Sequence, residues 1–326
     1  MAEILRNVEK LVLSGLEIDA RIPLSKIGKR IGKSQQQISY TINSLYKKEI
    51  LSGFYSLIDY SKLNVLSFRV YFRVSYVNKE KFDELINYLV SEQHISWIAT
   101  CGGRYDLICT FFTLNPSQFN KNLRNIMTKF PNQLQNYTVL TTIVIRFFGR
   151  KYLFEKSIVP EVIFGGDREP EKIDETDMKI LNELSENARK SSVEIAEKLS
   201  LTSKSIIQRI KKLRKRKIIM SFKSLTNPRN MGYNSHLLLI KYHNISLEME
   251  NELISYLKAH PNVISAVKTL GEWDIEIELE TKNPAERRKV EMEIRQKFAL
   301  LIQQIESIPL YLSYKKNYFP RFLLES

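Results

Sequence analysis

An α+β chain in which one unit is built twice is the expected architecture, each unit a helical half followed by a β-rich half. Three observations carry this. Shifting the 326-residue chain by 168 positions, without a gap, superimposes Ile27 on Ile195, Ile38 on Ile206, Ile42 on Ile210, Leu45 on Leu213 and Ile50 on Ile218. The same offset keeps Ala20-Arg21 on Ala188-Arg189, Gly103 on Gly271, Asp106 on Asp274, Asn115-Pro116 on Asn283-Pro284 and Lys129-Phe130 on Lys297-Phe298. Chance matches between apolar residues would not hold one offset across Gly, Asp and Asn-Pro as well. Finally, Pro160, Gly165-Gly166 and Pro170 are breakers that mark a linker at 152–172 between the two copies.

The helical half of the second unit is the clearer one. Asp174 is placed to cap a helix that carries Met178, Ile180, Leu181 and Leu184 on one face. Ser191 with Glu194 reads as a capping box opening a short helix through Ile195 and Leu199. Leu201-Thr202 makes a turn, and Thr202 caps a third helix with Ile206, Ile210 and Leu213 inward. The first unit repeats this with Leu24, Ile27 and Ile31, a turn at Gly32-Lys33, and Ser34/Gln37 capping a helix with Ile38, Ile42 and Leu45. Two short helices joined by a tight turn after a packing helix make a helix-turn-helix. Ile50–Phe54 and Ile218–Phe222, each followed by polar residues, read as short wings.

The β-rich half of unit one reads as strand Ser67–Tyr76, helix Lys79–Ser91 and strand Ile95–Cys101. Strand Asp106–Thr113, helix Pro116–Phe130 and strand Tyr137–Phe147 follow, and unit two gives the same order from Leu237 to Tyr318. This βαββαβ order is the ferredoxin-like split, with helices on one sheet face. The other face stays apolar and needs a partner sheet, which the second copy can supply. The expected organisation is a winged helix-turn-helix at 1–60, a ferredoxin-like domain at 64–151, the linker, a second winged helix-turn-helix at 173–232 and a second ferredoxin-like domain at 235–320.

A formal charge of +14 favours a polyanionic partner. Its placement decides which. Residues 1–60 hold nine basic against six acidic residues, and 173–232 hold fourteen against seven. The two heads therefore supply most of the excess. From Ser203 to Lys217 the second head has Lys204, Arg209, Lys211, Lys212, Arg214, Lys215, Arg216 and Lys217 and no acid. With the apolar face inward, Ser203, Lys204, Ser205, Gln208, Lys211 and Lys212 point outward and Arg209 flanks them. Double-stranded DNA is the expected partner, because this helix enters the major groove in a helix-turn-helix. Gln and Arg reach base edges there, while Ser and Lys hold phosphates. The matching residues of the first head, Gln36, Gln37, Tyr40, Asn43, Ser44 and Lys47, are polar and nearly uncharged. Two readings stand open for them: base reading, or a scaffold that has lost DNA.

The segment Ile173-Asp174-Glu175-Thr176-Asp177, Ile180-Leu181, Leu184, Asn187-Ala188-Arg189, Glu194-Ile195-Ala196, Leu201-Thr202 and Gln208-Arg209-Ile210 resembles the leucine-responsive regulatory protein/AsnC family of transcription regulators. Unit one departs from that pattern, with Arg6 and Glu9 where the acids of the first helix would stand. The resemblance implies a cytoplasmic regulator whose ferredoxin-like domains sense a small effector, often an amino acid, and dimerise sheet against sheet. Homo-oligomers beyond the intramolecular pair are left open. It also places the hairpins Gly103-Arg104-Tyr105-Asp106 and Gly271-Glu272-Trp273-Asp274 near an effector site. The plain chemistry of Gly103, Asp106, Gly271 and Asp274 is equally that of a turn, glycine for backbone freedom and aspartate for turn amides.

Other classes are poorly supported. No apolar run reaches the roughly 18–20 residues of a membrane span, and no leader segment is recognisable. Cys101 and Cys109 lack metal or disulfide spacing and read as core thiols. His94, His236, His243 and His260 form no ligand-like pair, and neither a nucleophile elbow nor a phosphate loop is present. No metal or cofactor is expected. The enzyme alternative is a siroheme decarboxylase, which shares this architecture and acts on a tetrapyrrole. Such an enzyme would carry His and Arg in the second strand hairpin, whereas here Arg104 stands without a histidine.

Overall fold

The computed structural model describes residues 5–154, 159–243 and 246–324. Positions 1–4 of the expected first head and 155–158 of the expected linker therefore lie outside the described residues. Helix α1 (Asn7–Ile18) buries Val12, Leu13 and Leu16 along one face. Helix α2 (Leu24–Ile31) ends at Gly32, left-handed at φ 67°. Helix α3 (Gln35–Lys47) opens on the expected box: the Ser34 hydroxyl accepts from the Gln37 amide, and the Gln37 side chain accepts from the Ser34 amide. In the second head α6 (Glu175–Glu186) is capped by Asp174, α7 (Ser192–Leu199) by Ser191 with Glu194, and α8 (Ser203–Lys215) by Thr202. The turn before α8 keeps its shape although Ser200 (φ 54°) replaces the glycine.

The expected wings are corrected by the structure. Strands β1 (Leu51–Ile58) and β7 (Ile219–Thr226) pair with each other, antiparallel, as a two-stranded ribbon shared by both heads. Lone strands carrying Phe54, Leu57, Ile58, Ile219 and Phe222 would expose apolar side chains and unpaired amides, and mutual pairing removes both. Tyr55 lies opposite Lys223, one full repeat away in sequence, so a pseudo-twofold axis passes through that pair. The contacts around it are reciprocal. Arg21 donates to the Ala188 and Lys190 carbonyls at 2.6 and 2.8 Å, and Arg189 donates to those of Ala20 and Ile22 at 2.5 and 3.3 Å. Each guanidinium also sits 5.4 Å from a ring centre of the opposite half, Phe222 or Phe54.

The first β-rich half runs β2 (Leu66–Val74), α4 (Lys79–Ser91), β3 (Ile95–Cys101), β4 (Leu107–Thr113), α5 (Pro116–Lys129) and β5 (Leu134–Phe147). Its strands lie in the order β5-β2-β4-β3. The second half runs β8 (Asn234–Tyr242), α9 (Leu247–Ala259), β9 (Val263–Gly271), β10 (Ile275–Thr281), α10 (Pro284–Lys297) and β11 (Ile302–Lys316), in the order β11-β8-β10-β9. Both are the ferredoxin-like arrangement. Two antiparallel seams, β5 with β9 and β3 with β11, join the sheets into one closed surface. Helices cover the outside, over Leu85, Leu89, Phe111 and Ile126 in one half and Leu253, Leu257, Ile277 and Ile294 in the other. Between the sheets a third core unites Tyr71, Tyr105, Ile108 and Leu140 with Leu237, Leu239, Trp273 and Ile308. The partner face that each sheet requires is thus the other copy.

The described part of the linker after 158 is more ordered than its breakers suggest. Strand β6 (Val162–Gly165) extends the sheet beside β5, and Glu171 bridges Lys62 of the first half to Arg216 of the second.

Candidate nucleic-acid interface

Helix α8 owes its position to Ile206, Ile210 and Leu213, all buried in the head. Its outer face is the one expected. Lys204, Gln208, Lys211 and Lys212 are exposed, and Ser203 and Ser205 are half-buried at the capped N-terminus. Among the described residues no acid forms an ion pair with Lys204, Lys211, Lys212, Lys215 or Lys217, whereas Arg214 reaches Asp19 at 3.4 Å and Arg216 reaches Glu171 at 2.7 Å. Lys215 and Lys217, which the sequence-based site omits, extend this unpaired charge beyond the helix start.

Arg209 behaves differently from the expectation. Its guanidinium is clamped by Asp174 at 2.7 Å and by Asp177 at 2.8 Å. Its hydrogen bonds hold Asp174 below the usual carboxylate range. Arg209 therefore ties α8 to the start of α6 through Nη1 and orients the helix. The reason lies in helical spacing: it falls one step round from the outer face, over the acids that open α6.

The first head places its charge elsewhere. On α3 Gln36, Tyr40, Asn43 and Lys47 are exposed, but Gln37 is held in its capping box and the Ser44 hydroxyl turns back toward Glu9 at 3.5 Å. The last two are thus engaged within the head. Besides Lys47, exposed positive charge lies on α2 and the turn after it: Lys26, Lys29, Arg30 and Lys33. Sequence reasoning passed over this stripe, although its i, i+3, i+4, i+7 spacing opposite Ile27 marks a single face. In the second head the matching helix α7 has Glu194 and Glu197 in place of Lys26 and Lys29, and Lys198 in place of Arg30.

Glu9 replaces the α6 acids in locking the first head. It is buried and takes ion pairs from Arg6 at 2.7 Å and Lys48 at 3.2 Å. Burial raises its pKa, but the hydrogen bonds from Arg6 and Lys48 outweigh this and bring it from 4.5 to about 2. A carboxylate depressed on folding contributes stability above its unfolded pKa and loses it as pH falls through the folded value. The window is therefore from about 4.5 down to about 2. Glu9→Gln is expected to lower the melting temperature by about 5 °C at neutral pH and to blunt the acid sensitivity within that window. Equal pH dependence of variant and parent in calorimetry would refute the assignment.

At the hairpins the aspartates serve the fold. An Asp106 oxygen accepts from the Val74 amide at 2.9 Å, and an Asp274 oxygen accepts from the Tyr242 amide at 2.8 Å. Gly103 is left-handed (φ 84°), and a Cβ on Gly271 would lie 2.9 Å from the Val139 carbonyl oxygen. Gly103, Asp106 and Asp274 thus shape the turns, and Gly271 sits where β5 passes closest to β9. The side chains that project between the hairpins are Arg104 and Glu272, which bond each other, with Thr138 donating to Glu272 at 3.1 Å.

Cys101 and Cys109 are buried free thiols, and burial pushes Cys101 up to about 12. Among the described residues no group of three His, Cys, Asp or Glu is placed to hold a metal, and no helix is long and apolar enough to cross a membrane.

Paired helix-turn-helix heads carried on ferredoxin-like sheets, the second head with an unpaired lysine face on its third helix, have the architecture of helix-turn-helix transcription regulators. Residues 173–214 match the AsnC-type helix-turn-helix domain. The chain is 30% identical over 115 residues to the HTH-type transcriptional regulator FL11 of Pyrococcus furiosus, covering 35% of this chain and 74% of that one. It is 33% identical over 102 residues to the HTH-type transcriptional regulator Ptr1 of Methanocaldococcus jannaschii, covering 31% and 68%. The chain belongs to the Lrp/AsnC family. Its fold over both units is similar to that of the siroheme decarboxylase NirDL, with a TM-score of 0.60, 15% identity and 98% of each chain covered.

Proposed function

We propose that the chain is a sequence-specific DNA-binding transcription regulator of the cytoplasm, with both heads of a pseudo-dimer supplied by one polypeptide. The unpaired lysine face of α8 supports this most directly, since counterion release from phosphates is the dominant sequence-independent term in DNA affinity. The heads play unequal parts. The second sets α8 on the groove, with Gln208 toward base edges and Lys204, Lys211 and Lys212 on phosphates. The first holds the backbone through α2 and reads through Gln36, Tyr40 and Asn43, which favours an active head over a scaffold. Footprinting is expected to show two half-sites of unequal protection. Two equivalent palindromic arms on one chain would contradict the proposal.

An amino-acid effector is a proposal of the same reading, and its chemistry points to Arg104 and Glu272 in place of the hairpin aspartates. A zwitterion could replace each partner of that exposed pair. A rise in melting temperature with an amino acid, lost in Arg104→Ala, tests it.

The NirDL-like frame motivates a tetrapyrrole enzyme as the second reading. Hairpin residues Arg104 and Tyr105 include no histidine, and the lysines of α8 have no part in such chemistry. A porphyrin titration is expected to leave the Soret band unshifted; a saturable shift at micromolar protein would favour the enzyme.

A further inference from the structure

The two halves resemble each other in shape but not in charge along the surface that joins them. Arg69 on β2 is buried between the sheets and bonds the buried Glu276 on β10, which Tyr71 also bonds. Arg150, just past β5, is buried and donates to Glu280 at 2.8 and 3.0 Å. At the hairpins Arg104 meets Glu272. In all three pairs the arginine belongs to the first half and the glutamate to the second.

The 168-residue offset shows what would replace these contacts if like halves met. The counterpart of Arg69 is Leu237, that of Glu276 is Ile108, that of Arg150 is Tyr318 and that of Glu280 is Phe112. Arg104 and Glu272 are each other's counterparts. Two first halves joined on the same pseudo-twofold axis would bury Arg69 against Ile108, twice over, leave Arg150 facing Phe112 with only Glu17 of its own half, at 3.6 Å, for a partner, and set Arg104 against Arg104. Two second halves would bury Glu276 against Leu237 and Glu280 against Tyr318, and set Glu272 against Glu272. A buried charge without its partner is strongly destabilising, whereas an apolar pair in the same place is not.

We propose that the joining surface is a heterotypic recognition code. Each half accepts only the opposite half, from its own chain or, by reciprocal exchange, from a second copy, and rejects its own kind. Exchange between copies is the one route by which this surface builds a larger assembly.

The test uses the full chain carrying a protease site between the halves, cleaved, unfolded in urea and refolded, with native mass spectrometry reporting which halves pair. Before unfolding, the cleaved chain serves as the one-to-one reference. First–second pairs are expected to exceed either like pair by roughly a hundredfold or more, since each like pair strands buried charges on both sides of the axis. R69L/E276I gives each position the apolar residue of its counterpart and is expected to bring like pairs up at least tenfold. A statistical mixture from the parent, or an unchanged composition in R69L/E276I, overturns the code. R69E/E276R inverts the pair and guards against a variant that fails to fold. Mixed with the parent and refolded, it is expected to return parental pairs only, and free scrambling between the two would also overturn the proposal.

Discussion

Replacing Lys204, Lys211 and Lys212 together by alanine is expected to flatten the dependence of log K on log salt by about two to three units, at roughly 0.9 for each phosphate no longer neutralised. At 0.1 M salt that is a weakening of about a hundred- to a thousand-fold. The loss falls on specific and non-specific duplexes alike, because lysine ammonium groups hold phosphates and carry no base code. Fold and thermal stability are expected to stay unchanged, since all three side chains are exposed and none is ion-paired among the described residues. Arg209→Ala separates positioning from phosphate binding. It removes the tie to Asp174 and Asp177 and is expected to lower the stability of the second head while leaving the slope within about half a unit. An unchanged slope in the triple variant removes α8 from the interface.

Trp273→Ala is expected to give the largest loss of stability of any single truncation in the inter-sheet core, about 3–5 kcal/mol. For a chain of this length melting as one unit, that corresponds to a fall in melting temperature of about 4–7 °C. Trp273 is 1% exposed and packs in the cluster that also holds Tyr71, Tyr105 and Leu140 from the first half. Emptying its volume therefore loosens both halves at once. Differential scanning calorimetry should show one transition moving as a unit. A variant melting within about 2 °C of the parent would mean that the two sheets do not share a core.

Local structure was legible from residue pattern to a high degree. The helix expected at Lys79–Ser91 and the strand at Ile95–Cys101 occur with those bounds, because Asn78 supplies a cap at one start and Gly102-Gly103 a break at the other end. The caps at Ser34, Asp174, Ser191 and Thr202 were readable since each is a short-range bond between residues three apart. The strand at Tyr137 begins earlier, at Leu134, because pairing with β2 continues to Val74. That extension depends on a partner strand and not on the segment itself.

What failed to show in the sequence was whatever one half does to the other. Ile50–Phe54 has the composition of a wing, and only the approach of Ile218–Phe222 turns it into half a ribbon. The tie from Arg209 to the N-terminus of α6 likewise spans 35 residues and has no local mark. Arg69 carries no mark in its local sequence of the partner it meets, a buried glutamate 207 residues away.

Residue order alone is enough to establish that one unit occurs twice, that each opens with a helix-turn-helix and closes with a ferredoxin-like half, and that the second head holds the denser positive charge. Periodicity, caps and repeat offset are properties of neighbouring residues and survive without coordinates. The folded chain adds that the heads share a ribbon, that the sheets close on each other, and which arginines meet carboxylates and which lysines face solvent. Those outcomes depend on the free energy of burying charge and apolar surface against residues remote in the chain, and no local pattern encodes that.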